Sequence, residues 1–225
     1  NAVILADGLA DGGPVKARAQ LERFWRKASL DGSLPDVARP VFDTFLSLWS
    51  VENNPWLSML SHASPYDFNP LNINPLKTIL EQEVDFARLR RASPVRLAIA
   101  ATNTETGKVR VFRDGELTAD HIAASACLPQ VFRAVTIDGV AYWDGGFMGN
   151  PPLYPLFEGE GRDLLLVQIN PVTRKGVPES AADIQHRLNE ISFNSPLLHE
   201  LRAIEFVARL IDTGVLTDPH YKRIL

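Results

Sequence analysis

Ala124-Ser125-Ala126-Cys127-Leu128-Pro129-Gln130-Val131-Phe132 and, shortly after it, Tyr142-Trp143-Asp144-Gly145-Gly146-Phe147-Met148-Gly149-Asn150-Pro151-Pro152 frame the most informative part of the chain. Between them lie two short apolar runs, Ala134-Val135-Thr136-Ile137 and Val140-Ala141-Tyr142-Trp143, joined by Asp138-Gly139. An Asp-Gly pair between such runs is a strong hairpin signal, because both turn residues must adopt positive φ. Asp144 therefore emerges at the end of a strand and is followed at once by Gly145 and Gly146. Glycines there let the backbone turn sharply and leave the carboxylate uncrowded, which suits an acid that must reach a neighbouring nucleophile. Asp-Gly is also an ordinary turn pair. The chain holds others at Asp7-Gly8, Asp11-Gly12-Gly13, Asp31-Gly32, Asp114-Gly115 and Asp138-Gly139, all read as punctuation between elements. Asp144 alone follows a strand with a small-residue helix end upstream and Gly149-Asn150-Pro151-Pro152 downstream.

Working outward, Thr118 caps a short helix through Cys127, with His121 in its first turn and Pro129 past its end. Val95 to Ala101 and Val109 to Phe112 read as two adjoining strands around a polar turn ending at Gly107. Asn74 caps a helix running to about Leu89, and the proline-rich stretch Ser64 to Pro75, with Asn69 and Asn72, is a loop. Phe42, Phe45, Trp49 and Trp56 crowd a segment cut by Pro35, Pro40 and Pro55, which suits core packing or a lipid-facing cap. Asn1 to Leu9 resembles a buried helix already under way; Asp11-Gly12-Gly13 breaks it, and Pro14 starts a helix carrying Val15, Leu21, Phe24, Trp25 and Ala28. Downstream, Asn150-Pro151-Pro152 is expected to open a helix, Leu164 to Ile169 to form a strand buried on both faces of a parallel sheet, and residues 181–216 to be helical. Both ends of the chain look cut.

Composition narrows the function classes. With 45% hydrophobic and 22% charged residues the chain has the balance of a folded globule, so one domain over 1–225 is expected. A net charge of -4 provides no basic field for phosphates, which argues against nucleic acid as a partner. Cys127 is the only cysteine, which rules out an internal disulfide and favours a cytoplasmic site. No apolar run is long enough to span a bilayer, so membrane contact is expected to be peripheral. His62, His121, His186, His199 and His220 lack metal-ligand spacing, and neither metal nor cofactor is expected.

The Ala124 to Pro129 helix end together with Asp144-Gly145-Gly146 resembles the patatin-like phospholipase family, whose members carry Asp-Gly-Gly or Asp-Gly-Ala on such a turn. Asn1-Ala2-Val3 is similar to the residues directly after that family's Gly-x-Ser-x-Gly elbow. The resemblance implies a three-layer α/β sandwich with a central, mostly parallel sheet. It also implies lipid acyl ester hydrolysis by a Ser-Asp dyad, with Asp144 as the acid/base and Gly145 and Gly146 supporting its turn. The nucleophilic serine and oxyanion loop would lie before Asn1, so these 225 residues alone are expected to be inactive. Ser125 is a poor substitute, since it sits in a helix end without the glycines of a strained elbow. The rival expectation is a non-catalytic lipid-binding or regulatory protein on the same scaffold.

Overall fold

The computed structural model describes residues 1–28, 64–158 and 163–218. The Phe42 to Trp56 aromatics and Asp31-Gly32 lie outside the described residues. The described chain divides into two units, Asn1–Gly145 and Gly146–Leu225, each with its own internal contacts.

In the first unit, α1 (Ala2–Ala28) is two helical halves joined at Gly12 and Gly13, where the backbone leaves helical geometry. Gly13 has φ +80°, a left-handed conformation that glycine takes without penalty. The halves fold back on each other. A Cβ placed on Gly8 would lie 2.4 Å from the Ala17 Cα, although nine positions of straight helix would separate them by about 13 Å. Trp25 Nε1 donating to Asn1 Oδ1 at 2.9 Å fixes the far ends of the same antiparallel pair.

Gly8 is thus no turn residue but the small side of a close helix crossing, and Asp7 beside it is fully buried inside α1. This corrects the reading of Asp7-Gly8 as punctuation. The Asp7 carboxylate is matched by four donors: Gln20 Nε2 at 2.8 Å and the Asp85 N–H at 3.2 Å on Oδ2, and Arg88 Nε at 2.9 Å and Nη2 at 2.8 Å on Oδ1. Arg88 also reaches Asp11 at 3.1 Å. A buried charge is tolerated only when it is paired and hydrogen-bonded in this way.

The helix expected from Asn74 to about Leu89 is two helices, α3 (Pro75–Glu83) and α4 (Phe86–Ala92), which follow the short α2 (Pro65–Phe68). Asn74 Oδ1 caps α3 by accepting from the Lys77 N–H at 3.1 Å, and Asp85 Oδ1 caps α4 by accepting from the Arg88 N–H at 2.8 Å. The break at Val84 and Asp85 brings the Asp85 N–H and the Arg88 side chain onto Asp7. Asn69 is buried and bonds Ile73 through both its amide nitrogen and its amide oxygen.

The sheet contains β1 (Ala98–Asn103), β2 (Val109–Arg113), β3 (Val135–Ile137) and β4 (Val140–Asp144) in the order β2-β1-β4-β3. Every pairing is antiparallel. Among the described residues the sheet is thus antiparallel rather than mostly parallel as expected: β1–β2 and β3–β4 are joined by tight turns, whereas parallel neighbours need a long crossover. The β3–β4 hairpin forms where anticipated, with Asp138 at φ 51° and Gly139 at φ 81°. Helix α5 (Ala119–Ser125) packs on β1, β3 and β4, and α3 packs on α5 and α1. The core runs through these layers, from Ile4 and Phe24 past Leu80 and Leu89 to Ala101, Phe112 and Tyr142.

In the second unit, the chain to Phe157 is a loop that follows a short 3₁₀ turn at Gly145–Phe147 and holds another at Tyr154–Leu156, so Asn150-Pro151-Pro152 opens no α-helix. The stretch Leu164 to Ile169 forms neither helix nor strand and joins no sheet among the described residues. Leu165, Val167 and Ile169 are 89%, 80% and 77% exposed, which corrects the expectation of a doubly buried strand. The apolar run indicated extended geometry, but its burial requires neighbouring strands that the described residues do not supply. Helix α6 (Ala181–Asp212) is capped by Ser180, whose Oγ accepts from the Asp183 N–H. Asn194 Nδ2 donating to the Pro171 carbonyl at 3.1 Å, and Arg187 Nη2 to that of Val172 at 3.1 Å, tie the chain just after this stretch to α6. The buried Glu190 is paired with Arg174 at 2.6 Å and Arg187 at 3.0 Å.

Candidate active site around Asp144

Asp144 ends β4 opposite Ala101 of β1. Its backbone is fixed on both sides. The N–H donates to the Cys127 carbonyl at 2.9 Å, and the carbonyl accepts from Thr102 Oγ1 at 2.8 Å. The first bond explains the small residues of Ala124 to Cys127. Ala123, Ala124 and Cys127 are almost fully buried, and their size lets the end of α5 come close enough to β4 for a carbonyl to reach the strand. The second requires a hydroxyl at position 102 on the face of β1 that meets β4.

Gly145 is required by space. A Cβ there would stand 2.2 Å from the Ala100 carbonyl oxygen and 2.6 Å from its carbon, so the chain leaving Asp144 runs against the backbone of β1. Any side chain would force the strands apart. With its backbone held this way, the half-buried Asp144 side chain leaves the end of the strand at a set position.

The neighbouring titratable groups do not compete for the chemistry. Burial foremost pushes the Cys127 thiol up to about 12, and the nearby Asp144 charge adds to it. Its Sγ lies 3.2 Å from the Arg133 carbonyl oxygen. A protonated, buried thiol is a poor nucleophile. Ser125 is the last residue of α5, whereas a nucleophile elbow sits where a strand turns into a helix.

His121 serves α5 itself. Its Nδ1 accepts from the Thr118 N–H at 3.1 Å and lies 2.8 Å from Thr118 Oγ1, which assigns the ring proton to Nε2. The ring packs edge-on against Phe112 with centroids 4.4 Å apart. Burial holds its pKa below the ordinary 6.5, outweighing the opposing charges of Glu116, Asp120 and Asp138, while Arg110 acts with burial. Just below that pH the unfolded chain binds more protons than the folded one. Stability is therefore fully present above it, and is lost as pH falls toward the folded-state pKa. Between about pH 7.5 and pH 5.5 the melting temperature of His121→Gln should fall less than that of the wild type, since glutamine keeps the cap but does not titrate. Parallel melting curves across that range would show otherwise.

Sequence reading missed the interior polar contacts. Thr102 looked like any strand residue, and Arg88 like any exposed helix residue. Asp7 carried a signal, as a lone acid in an otherwise apolar helix.

The patatin-like phospholipase family model matches residues 2–157, well over half of the chain and including both framing motifs. The chain belongs to the patatin-like phospholipase family. Membership points to a hydrolase acting on lipid acyl esters, and it includes the Asp144 turn and the α5 end that holds it. A search of curated proteins gives no match. No helix among the described residues is long and apolar enough to cross a membrane.

Proposed function

We propose that this chain forms the acid/base half of a serine-dependent lipid acyl hydrolase. Asp144 is the proton acceptor of a Ser-Asp dyad whose serine lies outside residues 1–225. The observation that carries this reading is the double backbone tether of Asp144, to Cys127 and Thr102, at a turn where only glycine fits. A base must be held in register with its nucleophile, and a carboxylate on an otherwise flexible Asp-Gly-Gly turn would not be.

In this mechanism the serine Oγ attacks the ester carbonyl carbon while its proton passes to the Asp144 carboxylate. Collapse of the tetrahedral intermediate expels the alcohol, which takes that proton. Water then attacks the acyl-enzyme as Asp144 again accepts a proton, and breaking the acyl C–Oγ bond returns that proton to the serine Oγ as the fatty acid leaves. Backbone amides outside these residues stabilise the oxyanion. Residues 1–225 act as part of one hydrolase domain, whose remaining strands complete a mostly parallel three-layer sandwich. Its site is cytoplasmic, with peripheral contact to lipid surfaces.

A fluorophosphonate probe on the full-length protein tests the reading, because it labels only an activated serine. Labelling is expected at one serine outside residues 1–225, together with loss of activity on a medium-chain 4-nitrophenyl ester. Activity that survives the probe, labelling at Ser125, or no hydrolysis at all would each refute the proposal.

A further inference from the structure

Arg133 belongs to the same strand end as Asp144, and the hydrolytic mechanism gives it no task. β3 and β4 pair Ile137 with Val140, Thr136 with Ala141 and Val135 with Tyr142. Continued two positions beyond the start of β3, that register sets Arg133 opposite Asp144. The Cys127 thiol links the two places. Its Sγ lies 3.2 Å from the Arg133 carbonyl oxygen, and it is near enough to Asp144 for that charge to add to the effect of burial on its pKa.

From this strand end the Arg133 side chain runs to α2. Its guanidinium carbon stands 5.1 Å from the centroid of the Tyr66 ring, and Nη2 donates to the Tyr66 carbonyl at 3.0 Å. The Ala134 N–H donates to the Tyr66 hydroxyl at 3.4 Å, so the ring is held in place beneath the cation. Tyr66 is exposed, which leaves the stacked pair open to a ligand. Nε is buried with no hydrogen-bond partner, and no carboxylate pairs with Arg133 among the described residues. A half-buried guanidinium keeps its charge, and such a charge is stabilised only when an anion or further acceptors complete it. Its planar fork matches the oxygens of a phosphate or a carboxylate two at a time. In a lipid acyl ester the acyl chain is apolar, so an anionic group close to the ester is carried by the alcohol, where phosphate fits that fork.

We infer that Arg133, stacked on Tyr66, is a specificity-determining residue that takes the phosphate on the alcohol side of the substrate and so selects phosphate-bearing acyl esters over neutral ones. Arg133 moves no proton in the reaction. The inference rests on the reading of Asp144 as the base, and it adds which alcohol portion the site is built to receive.

The test uses the full-length protein and two soluble substrates with the same acyl chains, dihexanoyl phosphatidylglycerol and dihexanoylglycerol. Both are kept below their micellar concentrations in phosphate-free buffer, so that neither a charged lipid surface nor free phosphate contributes. Released fatty acid is titrated, and kcat/KM is compared between the two. The wild type is expected to prefer the phospholipid, and Arg133→Gln to lower the ratio of the two kcat/KM values by about 10- to 100-fold, the span of a lost hydrogen bond to a charged group. Arg133→Lys, which keeps the charge but not the fork, should lower the ratio by about 3- to 10-fold. If Arg133 merely braced Tyr66, Arg133→Gln would slow both esters equally. That result, or a wild type without preference, overturns the inference. Should Arg133→Gln fail to fold, Arg133→Lys decides, and an unchanged ratio there counts against Arg133. Asp144→Asn in the same assay separates the two levels. If it is inactive on both esters while Arg133→Gln leaves the ratio untouched, only the role of Arg133 fails; if it is fully active, the dyad itself fails.

Discussion

Asp144→Asn in the full-length protein should lower kcat for ester hydrolysis by about 10³- to 10⁴-fold, the range spanned by loss of a general base in acyl transfer. The substitution is nearly isosteric, and the N–H bond to Cys127 and the carbonyl bond to Thr102 both use the backbone of residue 144. The turn and the β4 pairing therefore survive. What is lost is the ability to take a proton, an interaction made in the transition state, so KM should move little while kcat falls. Initial rates over a range of ester concentration, with a melting curve to confirm folding, provide the measurement. A variant that hydrolyses at the wild-type rate with unchanged stability would remove Asp144 from the mechanism.

Arg88→Met should have the largest effect on stability. It strips both donors from Asp7 Oδ1 and leaves a fully buried carboxylate held only by Gln20 and the Asp85 N–H. Breaking a buried pair from one side costs about 3–5 kcal/mol, which for a chain of this size lowers the melting temperature by about 10 °C. Adding Asp7→Leu to Arg88→Met removes the stranded charge and should recover a large part of the loss, a coupling that a double-mutant cycle reads directly. Losses that simply add would mean that the two side chains act independently.

The parts of the fold set by neighbouring residues were readable in the sequence. Asp138-Gly139 announces its hairpin because positive φ at both positions favours those residue types, and Asn74 and Thr118 mark helix starts because their neighbours repeat with helical spacing. The Asp144 turn was legible as a motif, but its tethers were not. Thr102 lies 42 positions away, and nothing at that position distinguishes it from other strand threonines. Arg88 is 81 positions from Asp7, so the rule that an acid in an apolar helix must find a partner indicates that one exists without indicating where. The antiparallel pairing of the described sheet was not legible for a related reason. Strand direction depends on which segments come to lie beside an apolar run such as Leu164 to Ile169, and only β1–β2 and β3–β4 are joined by turns too short for anything but antiparallel pairing.

The bend at Gly12 and Gly13 bears on how the chain folds. Gly8 against Ala17 and Asp7 against Gln20 are encounters between segments only about a dozen positions apart, so bringing them together confines very little chain. The bond from Asp7 to Arg88 must enclose most of the first unit. Contacts of low sequence separation form fast and distant ones slowly. The paired halves of α1 are accordingly suited to serve as an early template, presenting Asp7 half-satisfied by Gln20 until α4 arrives to complete its coordination.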